Sequence, residues 1–89
     1  MENWSTYLLK CSDNSLYCGV TNDLKKRLAS HNQGTASKYT RSRIPVKLAA
    51  VRTKLSKSEA YKLEYIIKKT RTDKKIKTLL DWNFSHEGG

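Results

Sequence analysis

The sequence predicts a mixed α/β fold with its elements in the order β-β-α-β-α-α. Three observations carry this. Two runs rich in aromatic, β-branched and aliphatic residues flank a short polar link near the N-terminus. A stretch led by proline alternates apolar and polar residues in mid-chain, and the remaining segments repeat apolar residues at helical spacing behind capping residues. With 89 residues there is room for one domain and one small core. The reading is a single unit over residues 1–84 with a short tail, Ser85–Gly89.

The first two runs, Trp4–Cys11 and Leu16–Val20, are joined by Ser12-Asp13-Asn14-Ser15 and read as a β-hairpin. A three-residue loop built on a type I turn needs a left-handed third residue, a conformation asparagine tolerates, so Asn14 suits it. That loop sets Cys11 opposite Ser15, Leu9 opposite Tyr17 and Tyr7 opposite Gly19. Tyr7, Tyr17 and Cys11 then share one face, while Cys18 lies on the other, which argues against a disulfide. Thr21-Asn22-Asp23 are N-cap types ahead of Leu24, Leu28 and His31, giving a helix over about Asp23–His31. On its wheel, Arg27 and His31 border the inward face and Lys25 and Lys26 point elsewhere. Gly34–Arg43 has no apolar period and reads as a loop. Pro45, Val46, Leu48 and Ala50 suggest a third strand, begun at Pro45 and ending near Thr53. Ser56 and Glu59 have capping-box spacing for a helix over about Lys57–Thr70, and Asp73 is placed to cap a last helix carrying Ile76, Leu79 and Leu80.

Charge narrows the function classes. Lys and Arg number 18 against 8 acids, a net +10, and residues 24–77 hold 17 of the bases with 3 acids, a local net of +14. The bases are threaded through periodic apolar positions, so they decorate a folded surface. No run approaches the roughly 18 apolar residues of a membrane span, and no apolar stretch follows Met1, so neither a span nor a secretory signal is expected. Two cysteines without a C-x-x-C pair point away from zinc and toward a reducing cytoplasm. Such a basic domain most often meets a polyanion, nucleic acid ahead of an anionic membrane surface.

Several residues are candidates for chemistry, each with two open readings. Glu64 falls within the apolar arc of its helix, where a carboxylate is costly unless it is paired with a Lys or Arg or holds a cation such as Mg²⁺, which keeps most of its waters. Arg27 is either a phosphate clamp or a helix-edge arginine. His31 either moves a proton or is a satisfied packing residue. Tyr7 and Tyr17 are either core aromatics or, with the pKa lowered by cations, a base.

Their order resembles one family. Tyr7, then Tyr17-Cys18-Gly19-Val20-Thr21, then Leu24-Lys25-Lys26-Arg27-Leu28 with His31, then Glu64 on a later helix, is similar to the GIY-YIG nucleases. The likeness spans about Trp4 to Lys75 and is nearest to short single-domain bacterial members, through Asp13-x-x-Leu16-Tyr17-x-Gly19 and Lys38-Tyr39-Thr40. It implies a three-stranded, mainly antiparallel sheet flanked by helices. It also implies catalytic Tyr7, Tyr17, Arg27, His31 and Glu64, with one Mg²⁺ or Mn²⁺ on Glu64. Gly19, bare opposite Tyr7, would then leave room for a phosphate. The first motif reads Ser5-Thr6-Tyr7 without its glycine, Cys18 replaces an isoleucine, and Asn83 is the late asparagine available to a phosphate.

The expected function is metal-dependent cleavage of phosphodiester bonds in DNA, branched or nicked forms included, with DNA placed ahead of RNA. A protein partner is a candidate source of specificity. Lys25, Lys26, Lys38, Tyr39, Arg41 and Arg43 would grip the nucleic acid, and Tyr39 or Trp4 would stack on a base. The alternative is a non-catalytic binding module that keeps the fold. A basic subunit of a larger ribonucleoprotein ranks third.

Overall fold

The chain first reverses at Asn14, whose φ of 70° lies in the left-handed region that asparagine tolerates. The Cys11 N–H donates to Ser15 O at 2.9 Å, and the Asp13 carboxylate accepts from the Ser15 N–H and hydroxyl at 3.0 and 2.6 Å. In this computed structural model, which describes residues 3–84, the turn joins strands β1 (Trp4–Lys10) and β2 (Leu16–Thr21). They pair antiparallel with Leu9 opposite Tyr17 and Tyr7 opposite Gly19, the register expected from the loop length. The expected tail, Ser85–Gly89, lies outside the described residues.

Strand β3 (Lys47–Leu55) pairs antiparallel with the other edge of β1, giving the order β2-β1-β3. Residues Ser5–Leu9 of central β1 are all buried, as a strand covered on both faces must be. Strand β3 begins after Pro45 rather than at it. The Asn32 side chain takes both backbone groups of Val46, accepting from its N–H at 2.8 Å and donating to its carbonyl at 3.2 Å. It also runs past Thr53. Lys54 at φ 60° and a register shift opposite Trp4 and Thr6 bend the strand, and Leu55 ends up buried.

Helix α1 (Leu24–Asn32) starts where the Asp23 carboxylate accepts the Lys26 N–H at 3.2 Å. Inside the segment read as a loop lies a four-residue helix, α2 (Lys38–Arg41), capped by the Ser37 hydroxyl on the Thr40 N–H. Helix α3 (Lys57–Lys68) opens on the expected capping box: Glu59 N–H donates to Ser56 Oγ at 3.1 Å, and Ser56 N–H to Glu59 Oε1 at 2.9 Å. Helix α4 (Lys75–Asp81) follows a 3₁₀ turn, Thr72–Lys74. Asp73 does not cap α4 as expected. It lies inside that turn, paired with Arg71 at 3.3 Å. The C-terminal end of α4 is instead satisfied from β3, where Arg52 donates to the carbonyls of Leu79 and Trp82 at 3.0 and 2.8 Å.

Two apolar layers sandwich the sheet. Leu8, Cys18, Ala50 and Leu55 pack with Ala60, Leu63 and Ile67 of α3 and Leu79 of α4, and the Thr6 hydroxyl donates to Ala60 O at 2.8 Å. On the other face Tyr7, Leu9, Cys11 and Val46 pack with Tyr17, Leu24 and Leu28. The two cysteines therefore sit in different layers as free thiols. Replacing Ser56 with Ala should lower stability by about 0.5–2 kcal/mol, seen as a lower urea midpoint at unchanged slope.

Candidate active site

Tyr7 is fixed by its neighbours on the α1 side of the sheet. Its buried hydroxyl lies 2.8 Å from His31 Nε2, and His31 Nδ1 lies 2.8 Å from the Thr40 hydroxyl. His31 and Thr40 are themselves buried, and the Thr40 hydroxyl continues to Ser37 Oγ at 3.1 Å. Burial above all, and the Tyr17 hydroxyl next, push the Tyr7 phenol well above its ordinary range. Cys18 and Glu64 add to this while Arg27 opposes it. Burial, then Arg27, holds the His31 imidazole below its usual range. At neutral pH Tyr7 therefore keeps its proton and His31 is uncharged. A neutral imidazole offers one donor and one acceptor, and His31 is the acceptor within reach of the Tyr7 proton. The network thus assigns Tyr7 O–H to Nε2, Nδ1–H to Thr40 Oγ1, and the Thr40 proton to Ser37.

Tyr17 stands beside this relay but outside it. Its ring meets His31 edge-on at 5.2 Å and stacks on Tyr39 at 5.7 Å with 28° between planes. Its hydroxyl makes no hydrogen bond among the described residues, whereas that of Tyr7 is committed to His31. Tyr39 is held by Arg43, whose guanidinium lies 3.9 Å over its ring and donates to its carbonyl at 2.8 Å. Arg43 also pairs with Asp13 at 2.9 Å, and its own carbonyl accepts the Ser12 N–H at 2.8 Å. Arg43 and Tyr39 thus form the wall behind Tyr17. Lys25, Lys26, Lys38 and Arg41 are exposed and make no ion pair among the described residues.

Arg27 is exposed rather than bordering the core, because the α1 stripe that packs inward is narrow: Leu24 and Leu28 are half-buried and His31 alone is buried. Its guanidinium has no hydrogen bond or ion pair among the described residues. With Thr21, Asn22 and Lys26 it lines an open cleft of about 420 Å³. Glu64 comes from the opposite layer, its side chain 22% exposed and paired with exposed Lys68 at 3.2 Å. Its charge reaches Tyr7 and also Cys18, whose thiol is pushed up to about 12, mainly by burial. The two layers thus approach one another across β2 near Gly19, which follows Cys18 and pairs with Tyr7.

Gly19 does not hold space for a phosphate. A Cβ there would collide with the Tyr7 hydroxyl and ring, so the room that the missing side chain leaves is filled by the phenol itself. Asn83 follows Trp82, whose carbonyl is tied to Arg52 on β3, the edge strand opposite β2. Sequence reading also missed Thr40, Ser37 and Asp13. The Ser37-x-x-Thr40 spacing was the available signal for a capped turn. No cluster of three or more His, Cys, Asp or Glu occurs among the described residues. A lone carboxylate held by one flexible lysine nevertheless fits a cation such as Mg²⁺, which takes one or two protein oxygens and keeps several waters.

A hairpin-led sheet with helices on both faces, and this order of tyrosines, arginine and glutamate, define a GIY-YIG type of domain. The family described as the GIY-YIG catalytic domain matches residues 3–77, and the chain belongs to that family. Among its relatives, a UPF0213 protein of Nitratidesulfovibrio vulgaris is 44% identical over 78 residues, 88% of this chain and 71% of that protein. One from Clostridium perfringens is 44% identical over 81 residues, 91% of this chain and 87% of its own length. The solution structure of a UPF0213 protein from Bacillus halodurans matches with a TM-score of 0.55 at 36% identity, covering 96% of this chain and 90% of that one. A solution structure from E. faecalis matches at 0.60 and 38% identity, covering 90% of this chain and 88% of its own.

Gly19→Ala should displace the Tyr7 phenol and cost about 1–3 kcal/mol, with loss of the His31–Tyr7 bond visible in imidazole ¹⁵N shifts. The His31 shift also has a sign. Below about pH 6.5 the unfolded imidazole takes a proton that the folded one resists, so stability should fall as pH drops from 7 toward 5. Asp13 is lowered from 3.8 by its bonds to Ser15 and then Arg43, so its stabilisation is lost only in more acid solution. Denaturation midpoints across this range should lose the neutral-to-pH-5 slope in His31→Gln.

Proposed function

We propose that this chain is a metal-dependent endonuclease-like phosphodiesterase acting on DNA, with residues 1–84 as one working unit. The observation that carries the reading is the contrast between the two tyrosines: Tyr7 is locked to His31, while the Tyr17 hydroxyl, like the Arg27 guanidinium, is uncommitted among the described residues. In this scheme the Arg27 guanidinium forks onto two oxygens of a phosphodiester. Tyr17 acts as general base on the attacking water. Oxygen–phosphorus bond formation on one side and loss of the leaving oxygen on the other build negative charge that Arg27 offsets. Tyr7 and neutral His31 hold the Tyr17 ring and the proton network in place. A divalent cation on Glu64 would supply positive charge at the leaving oxygen. Exposed Lys25, Lys26, Lys38 and Arg41 grip neighbouring phosphates. Buried, unpaired thiols suit a reducing cytoplasm, and a protein partner is the proposed source of substrate choice.

A second reading, a binding module without turnover, is favoured by the pairing of Glu64 with Lys68 at 3.2 Å. The two part on one assay, in which labelled nicked, branched and linear DNA are incubated with Mg²⁺ or Mn²⁺. The nuclease reading expects cleavage, reduced about 100-fold or more in Tyr17→Phe, Arg27→Ala and Glu64→Ala. Cleavage untouched by Glu64→Ala or Tyr17→Phe sinks the assignment. Salt-sensitive binding with no product in either metal establishes the second reading instead.

A further inference from the structure

On the solvent side of α3, away from its core residues Ala60, Leu63 and Ile67, two tyrosines stand one helical turn apart. Tyr61 is 48% and Tyr65 63% exposed. Trp4 extends the row, its ring 5.9 Å from that of Tyr61. Ammonium groups stand over both ends: Lys57 Nζ lies 5.5 Å above Trp4, and Lys69 Nζ lies 4.8 Å above Tyr65 and donates to its hydroxyl at 3.2 Å. Neither tyrosine serves the core, and neither belongs to the site built on Tyr7 and Tyr17.

From this row we infer a second contact surface, a stacking track for unpaired bases of a single-stranded nucleic acid. An aromatic ring needs an exposed base face, which a duplex hides within its own stack and a single strand offers at every residue. The lysines at the ends match the phosphates of the same strand, and the chain's net charge of +10 opposes a second copy of itself as the occupant. Glu64 is on the same helix but turned toward the sheet, so the row of rings is a surface separate from the proposed cation ligand. The inference rests on the reading that the chain binds nucleic acid, and it narrows the substrate to DNA with an unpaired segment such as a flap, gap or fork.

The test is binding in EDTA, so that cleavage plays no part. The full chain is titrated against a fluorescein-labelled 15-mer of oligo-dT and against a 15-base-pair duplex. Replacing Tyr61 and Tyr65 together with Ala should weaken single-strand binding about 10-fold or more while leaving duplex binding within about 2-fold. Replacing both with Phe, which keeps the rings, should restore it. Equal losses on both ligands, no loss on either, or failure of the Phe pair to restore binding overturns the track. An amide spectrum matching the parent chain shows that the Ala pair is folded. DNA cleavage that survives in a chain failing this test overturns the track and leaves the nuclease reading standing. A single-strand preference that passes without any cleavage does the reverse.

Discussion

Side chains along a strand alternate faces, so a turn that is one residue longer or shorter would send every residue of β2 to the wrong side. Here the turn at Cys11–Ser15 closes with Asn14 in the left-handed region, and Tyr7, Tyr17 and Gly19 come to one face as a consequence. Much of the site inherits this register. Tyr7 reaches His31 because β2 offers it a glycine rather than a side chain, and Tyr17 meets the same imidazole from its place two residues before that glycine. One local backbone choice thus sets the distances among residues far apart in the chain.

The polar groups so assembled divide into those whose bonding is complete and those whose bonding is open. Tyr7, His31, Thr40 and Ser37 form a closed chain of hydrogen bonds in a buried setting, where an unmet donor would be costly. Arg43 is likewise saturated by Asp13, by the Tyr39 carbonyl and by the Tyr39 ring. Tyr17 and Arg27 keep their polar atoms unspent among the described residues, Arg27 on the wall of the cleft. The first group gives rigidity to a domain of this size, and the second leaves chemical capacity for a ligand. Glu64 falls between them, largely buried but paired with an exposed lysine that water can replace.

Local features were legible in the sequence. Asn14 in its turn, the Ser56–Glu59 box and the separation of Cys11 from Cys18 each follow from rules that act within a few residues, and each is found in the structure. Nonlocal features were not. Helix α2 has no apolar period; Thr40 is held there by an imidazole nine residues earlier, and Arg43 by a carboxylate thirty residues earlier. Pro45 looked like a strand start because the claim of Asn32 on Val46 cannot be read from spacing. The occupant of the space over Gly19 was equally hidden, since it depends on where the Tyr7 ring comes to rest. The resemblance in residue order found the candidate residues, but not which of them were already spoken for.

The hairpin tip has a consequence for how this chain tolerates change. A short, polar, solvent-facing turn is ordinarily where sequences accept extra residues, a tag or a new terminus. In this chain the tip is also a strap, since Ser12 and Asp13 hold the segment carrying Tyr39 and Arg43. Length variation there would unfasten the Tyr39 wall as well as shift the strands. Evolutionary insertions and engineered fusions alike are better accommodated elsewhere, leaving this loop constrained in length although nearly every side chain on it meets water.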